Sequence, residues 1–91
     1  MIRLLIFDAD GTLCDRDSGA LLPGVEEYFA ALRSGRNRPA VAVATNQGGV
    51  GCRAFGWAGD YPTEAEALRR YRALGRALGI PADRVYLAVA A

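Results

Sequence analysis

The sequence predicts a parallel α/β domain, and three observations predict it. Three short apolar runs, residues 2–7 (IRLLIF), 40–45 (AVAVAT) and 84–89 (RVYLAV), are bounded by turn formers and read as buried strands. Between them lie two stretches with helical apolar spacing and helix-start signals. The order is therefore β-α-β-α-β, and a helix between successive strands makes them parallel, with right-handed connections.

Each element has a local reason. The first run stops at Asp8, and residues 8–22 (DADGTLCDRDSGALL) read as a polar loop. Pro23-Gly24 opens a helix in which Val25, Tyr28, Phe29 and Leu32 share one face, with Glu26 and Glu27 in the first turn and Gly35 as the cap. Residues 36–39 (RNRP) are a short connection to the second strand. The following stretch, NQGGVGCRAFGWAGDYP, is long and rich in glycine, and reads as a functional or mobile loop. Thr63 and Glu66 form the T-x-x-E capping box of a second helix that runs to about Leu78. Its inner stripe is Ala67, Leu68, Tyr71, Leu74 and Leu78, and Glu66 and Arg70 stand at pairing distance along it. Gly79 and Pro81 end it. The expectation is one domain of three strands and two helices.

Composition narrows the function classes. The chain has 91 residues, 52% apolar, so it buries a modest core of roughly 60–65% of its unfolded surface. The net charge of +1 gives no electrostatic case for nucleic acid or membrane partners. All eleven basic residues are Arg, and there is no His, the commonest neutral-pH base and metal ligand. No secretory or membrane-spanning segment is visible, which makes the cytoplasm the default location. Cys14 and Cys52 are too few for a disulfide framework and read as free thiols, although both follow strand ends and could approach each other.

The chemistry-bearing residues gather at strand ends. In extended backbone, residues i and i+2 point the same way, so Asp8 and Asp10 can face one point beyond the first strand. Two carboxylates there repel unless a cation or a proton lies between them. Magnesium favours such oxygen donors together with water and phosphate. Gly11 lets the chain turn and could bring backbone N–H groups towards an anion. A capped turn meets the same D-x-D-G-T pattern without any catalysis. The second strand, however, delivers Thr45 and Asn46 to the same edge, where ligands bind in parallel sheets.

At these residues the chain resembles the haloacid dehalogenase-like superfamily of phosphatases. LLIFDADGTL is similar to its first motif and VAVATNQGGV to its second. The T-N-Q-x-G-V form and the intervening LLPGVEEYFAALR resemble the small-cap branch, which includes histidinol-phosphate, heptose bisphosphate and polynucleotide 3′-phosphatases. The resemblance implies a Rossmann-like three-layer α/β/α fold and a magnesium-dependent phosphomonoester hydrolase acting on a small phosphorylated metabolite. Asp8 would be the nucleophile, forming an aspartyl-phosphate, and Asp10 the general acid and base. Asp8 and the Asp10 carbonyl would hold magnesium, while Gly11, Thr45, Asn46 and Arg53 would meet the phosphate.

The chain also departs from that pattern. There is no Lys to serve as the basic residue of the superfamily's third motif, and Asp60 and Asp83 do not stand where its fourth motif supplies acidic ligands. The first strand, central in the superfamily, becomes a sheet edge in these 91 residues, and the expectation is the N-terminal part of a longer protein or a truncated product. A catalytically incomplete phosphate-binding or assembly module and a polynucleotide 3′-phosphatase-like enzyme are the alternatives, and oligomeric state is left open. Phe55, Trp57 and Tyr61 read as loop packing or a substrate entrance, and Arg69, Arg70, Arg72 and Arg76 as the solvated face of the second helix.

Overall fold

The computed structural model describes residues 3–36, 38–56 and 59–88, so the readings of Ile2, Asn37, Trp57 and Val89 fall outside the described residues. Strand β1 is Leu4–Phe7, helix α1 Val25–Ser34, β2 Ala40–Asn46, α2 Gly48–Ala54, α3 Glu64–Ala77 and β3 Val85–Ala88, with a 3₁₀ turn at Ala82–Arg84 before β3. The sheet is parallel in the order β1-β2-β3. Its register sets Phe7 beside Val43, and Val43 beside Val85.

Local chemistry explains the helix starts. Leu22–Val25 is a reverse turn, with the Val25 N–H donating to the Leu22 carbonyl at 3.2 Å. Pro23 takes its second position and Gly24, at φ +85°, its third, which is the left-handed geometry a type II turn requires. At α3 the capping box is complete: Glu66 N–H donates to Thr63 Oγ1 at 3.1 Å and Thr63 N–H donates to Glu66 Oε1 at 3.3 Å. Helix α2 corrects the two-helix expectation, because it lies inside the glycine-rich stretch that reads as a loop. Gly48, Gly49 and Gly51 are weak helix formers. The helix is held instead by tertiary burial of Val50 and Gly51.

The expected third layer is not formed among the described residues. Phe7, Val41, Val43, Val85 and Leu87 share one face of the sheet and pack with Val25 and Phe29 of α1, with Tyr71 and Leu74 of α3 and with Leu78 just after it. On the opposite face Leu4, Ile6, Ala44, Tyr86 and Ala88 are exposed. The topology dictates this arrangement. Both crossovers step in the same direction across a parallel sheet, and the right-handed rule for such connections puts both helices on one face, as the shared core of α1 and α3 shows.

Strand β1 is an edge, as its sequence leads one to expect, and it carries Ile6 at 63% exposure. An apolar edge strand invites pairing with another chain. Ile6→Lys is expected to reduce concentration-dependent light scattering while changing unfolding free energy by less than about 0.5 kcal/mol. Unchanged scattering would remove this edge as the route of association.

Candidate functional site

The C-terminal ends of β1 and β2 bring a polar cluster together around Asp10. Its carboxylate, about a quarter exposed, accepts from Tyr71 Oη, which lies 2.9 Å from both oxygens. Gln47 Nε2 donates to Asp10 Oδ2 at 3.2 Å and to Thr45 Oγ1 at 2.9 Å, so one amide ties the two strand ends together. Cys14 Sγ donates to Asp10 Oδ1 at 3.6 Å, and Arg70 Nη2 stands 3.8 Å from the same oxygen. Each of these four groups is a donor, so the carboxylate serves as their common acceptor.

The loop before α1 sets this geometry. The Ala9 side chain is fully buried, anchoring the chain between the two aspartates. Its carbonyl accepts from the N–H groups of Thr12, Leu13 and Cys14, and Gly11, at φ +80°, turns the backbone. The Gly11 N–H donates to the Cys14 carbonyl at 2.8 Å. That amide is therefore bonded within the turn in this structure, where Gly11 contributes the left-handed conformation. Farther along, Asp15 Oδ2 accepts from the N–H groups of Asp17 and Ser18, and the Ser18 bond chiefly holds its carboxyl below the usual range.

The other predicted site residues are placed differently from one another. Asp8 is exposed at the end of β1, and among the described residues its side chain makes no hydrogen bond or ion pair. The two aspartates thus diverge: Asp10 turns into the cluster and Asp8 faces outward. Thr45 is 3% exposed, and its accepted bond from Gln47 leaves its O–H proton free to donate. Asn46 is exposed beside Thr45, on a shallow cavity shared with Tyr86 and Leu87. Arg53 is on α2, where its Nη1 donates to the Tyr61 carbonyl at 3.0 Å, so it holds its own loop and does not join the cluster.

Three members of the cluster escape a reading of the sequence. Tyr71 reads as core by its period, and it is 1% exposed, yet its hydroxyl is the partner of Asp10 across 61 positions. A buried tyrosine needs a partner for its O–H, which is the signal that could have found it. Gln47 sits in a second motif read only for its threonine and asparagine. Arg70 is expected to pair with Glu66 on a solvated face. Instead Glu66 is used by Thr63, and Arg70 Nη2 donates to the carbonyls of Arg16 at 2.6 Å and Asp15 at 3.4 Å.

Burial, and then the Asp10 bond and charge, push the Tyr71 hydroxyl up to about 12. Burial first, then the charge of Asp10, raises the Cys14 thiol as well. Both cysteines are free, and Cys14 is 1% exposed while Cys52 is half-buried. Because the thiolate is the reactive form, iodoacetamide at about pH 8 is expected to modify Cys52 and spare Cys14 in the folded protein, read by peptide mass spectrometry. Equal labelling would show that Cys14 is not sealed against Asp10.

Among the described residues no group of three His, Cys, Asp or Glu is placed to hold a metal ion. What the strand end supplies is the outward Asp8 carboxylate and the Asp10 carbonyl, which takes none of the turn's hydrogen bonds. Two such oxygens fit a magnesium ion that keeps most of its waters. A cavity of about 240 Å³ adjoins the cluster, lined by Gln47, Arg70, Tyr71 and Glu66 among others. No helix among the described residues is long and apolar enough to cross a membrane. In comparisons with protein-family models, curated proteins and solved structures, nothing matches the chain.

Proposed function

We propose that the chain is a haloacid dehalogenase-like phosphohydrolase segment that handles the phosphoryl group of a small phosphomonoester. The observation that carries the reading is the pairing of an exposed Asp8, whose side chain has no hydrogen bond or ion pair among the described residues, with an Asp10 held by donors and tied through Gln47 to Thr45. A nucleophile must be free to approach phosphorus, and a proton-transfer group must be held in place; the two aspartates differ in that sense.

In the proposed reaction an Asp8 oxygen attacks phosphorus and the ester P–O bond breaks, leaving a phosphorylated Asp8. Asp10, entering the step in its protonated form, gives that proton to the departing oxygen and is left as a carboxylate. It then takes one from a water that attacks the phosphorylated Asp8, releasing phosphate and restoring the carboxylate. Thr45 donates its hydroxyl to a phosphoryl oxygen, and Asn46 flanks it. Asp8 and the Asp10 carbonyl would hold magnesium, which supplies charge neutralisation between carboxylate and phosphate. The chain lacks Lys, and the cation within 4 Å of Asp10 among the described residues is Arg70, which takes the part of the basic residue expected beside the phosphate.

A second reading is a phosphate-binding module without turnover; among the described residues no group of three His, Cys, Asp or Glu is placed to hold a metal ion, which is in keeping with it. Calorimetric titration with magnesium and inorganic phosphate, followed by an assay with p-nitrophenyl phosphate, separates the two. Turnover proportional to protein and lost on chelation supports the hydrolase. Binding without turnover supports the module, and neither result in the presence of folded protein would overturn both.

A further inference from the structure

We propose that the cavity at the N-terminal edge of the sheet binds a small organic anion with an apolar body. The cavity has a volume of about 280 Å³ and lies between the C-terminal ends of α1 and α3. Phe29, Val41 and Leu78 supply apolar walls, and Arg33, Arg38 and Arg84 supply positive charge; among the described residues no acidic side chain lines it. It is distinct from the Asp10 cluster, because Ala40 opens β2 at the cavity and Thr45 lies five residues on, about 17 Å away.

Helix C-termini carry partial negative charge, and arginines there serve that end of the helix. Two of the three are accounted for in this way. Arg33 Nη1 donates to the Leu78 carbonyl at 2.7 Å, and Arg38 Nε donates to the Gly35 carbonyl at 3.3 Å. Arg84 is not: among the described residues its side chain has no hydrogen bond or ion pair. It lines a mostly apolar recess and is exposed, with a guanidinium free to offer. A cation is repelled by this set. A neutral apolar molecule leaves Arg84 unanswered, and a bare inorganic anion leaves the apolar walls unused. A molecule with both parts answers both, and a carboxylate, sulfonate or phosphate head can take a two-pronged bond from Arg84. The volume, near the lower end for ligand pockets, limits the body to about one ring.

The test is an amide NMR titration of the whole chain with benzenesulfonate, which the proposed phosphatase chemistry cannot consume, alongside inorganic sulfate and benzyl alcohol. Saturable shifts centred on Val41, Gly79 and Ile80 are expected with benzenesulfonate, at an affinity at least about tenfold above that of either simpler probe. Arg84→Gln should weaken it about tenfold and Arg84→Lys less, both with otherwise unchanged spectra, since Arg84 is exposed. Equal binding by Arg84→Gln, the absence of saturation, or shifts centred on Asp8–Gly11 and Thr45–Gln47 would each overturn the proposal. The last would assign the anion to the candidate phosphate site instead.

Discussion

Under the proposed reaction, Asp8→Asn is expected to lower magnesium-dependent turnover of an aryl phosphate by about 10³-fold or more, because an amide cannot serve as the attacking carboxylate. The substitution is nearly isosteric, and Asp8 is exposed without a hydrogen bond among the described residues. Unfolding free energy should therefore move by less than about 0.5 kcal/mol. Steady-state rates and a thermal melt on the same sample separate chemistry from folding. Turnover that survives in folded Asp8→Asn would remove Asp8 as the nucleophile, and a large fall in melting temperature would show that its carboxylate has a structural partner.

The second large effect is at Tyr71, where ring and hydroxyl do separate things. The ring fills the core between α3 and the loop that carries Asp10. Tyr71→Ala is expected to cost about 3–5 kcal/mol, a large share of the stability of a domain this size. Tyr71→Phe keeps the ring and strips a donor from a part-buried carboxylate, at about 1–3 kcal/mol. The hydroxyl also makes stability depend on alkaline pH. Its folded pKa, about 12, is above the unfolded value near 10, so the native state holds this proton more tightly. The contribution is whole below pH 10 and is lost as pH rises through about 12. Denaturant midpoints between about pH 8 and pH 12 should fall in the wild type and stay flatter in Tyr71→Phe, with one late tyrosinate absorbance step missing from the variant. An identical pH slope in both proteins would separate Tyr71 from the alkaline loss.

These effects expose what can and cannot be read along a chain. The Thr63–Glu66 capping box and the Pro23-Gly24 start are complete within four residues, so spacing alone identifies them. The strand ends carrying Asp8 and Thr45 were legible for the same reason, since an apolar run stops at a polar residue. Helix α2 was not legible, because its glycines argue against helix and only tertiary burial of Val50 overrules them. The pairing of Tyr71 with Asp10 joins positions 61 residues apart, and a helical period says which face is buried without saying what it meets.

By itself, the sequence determined the alternation of strand and helix, the parallel sheet, and the carboxylates and hydroxyl at its C-terminal edge. Those follow from local patterns of apolar and polar residues. Only the tertiary structure decided that both long helices cover one face, that Asp10 turns inward while Asp8 faces out, and that Arg70 leaves Glu66 for the loop. The reason is that a side chain's rotamer and partner are chosen by whatever else reaches the same point in space. In this protein that neighbour comes from another element of the chain.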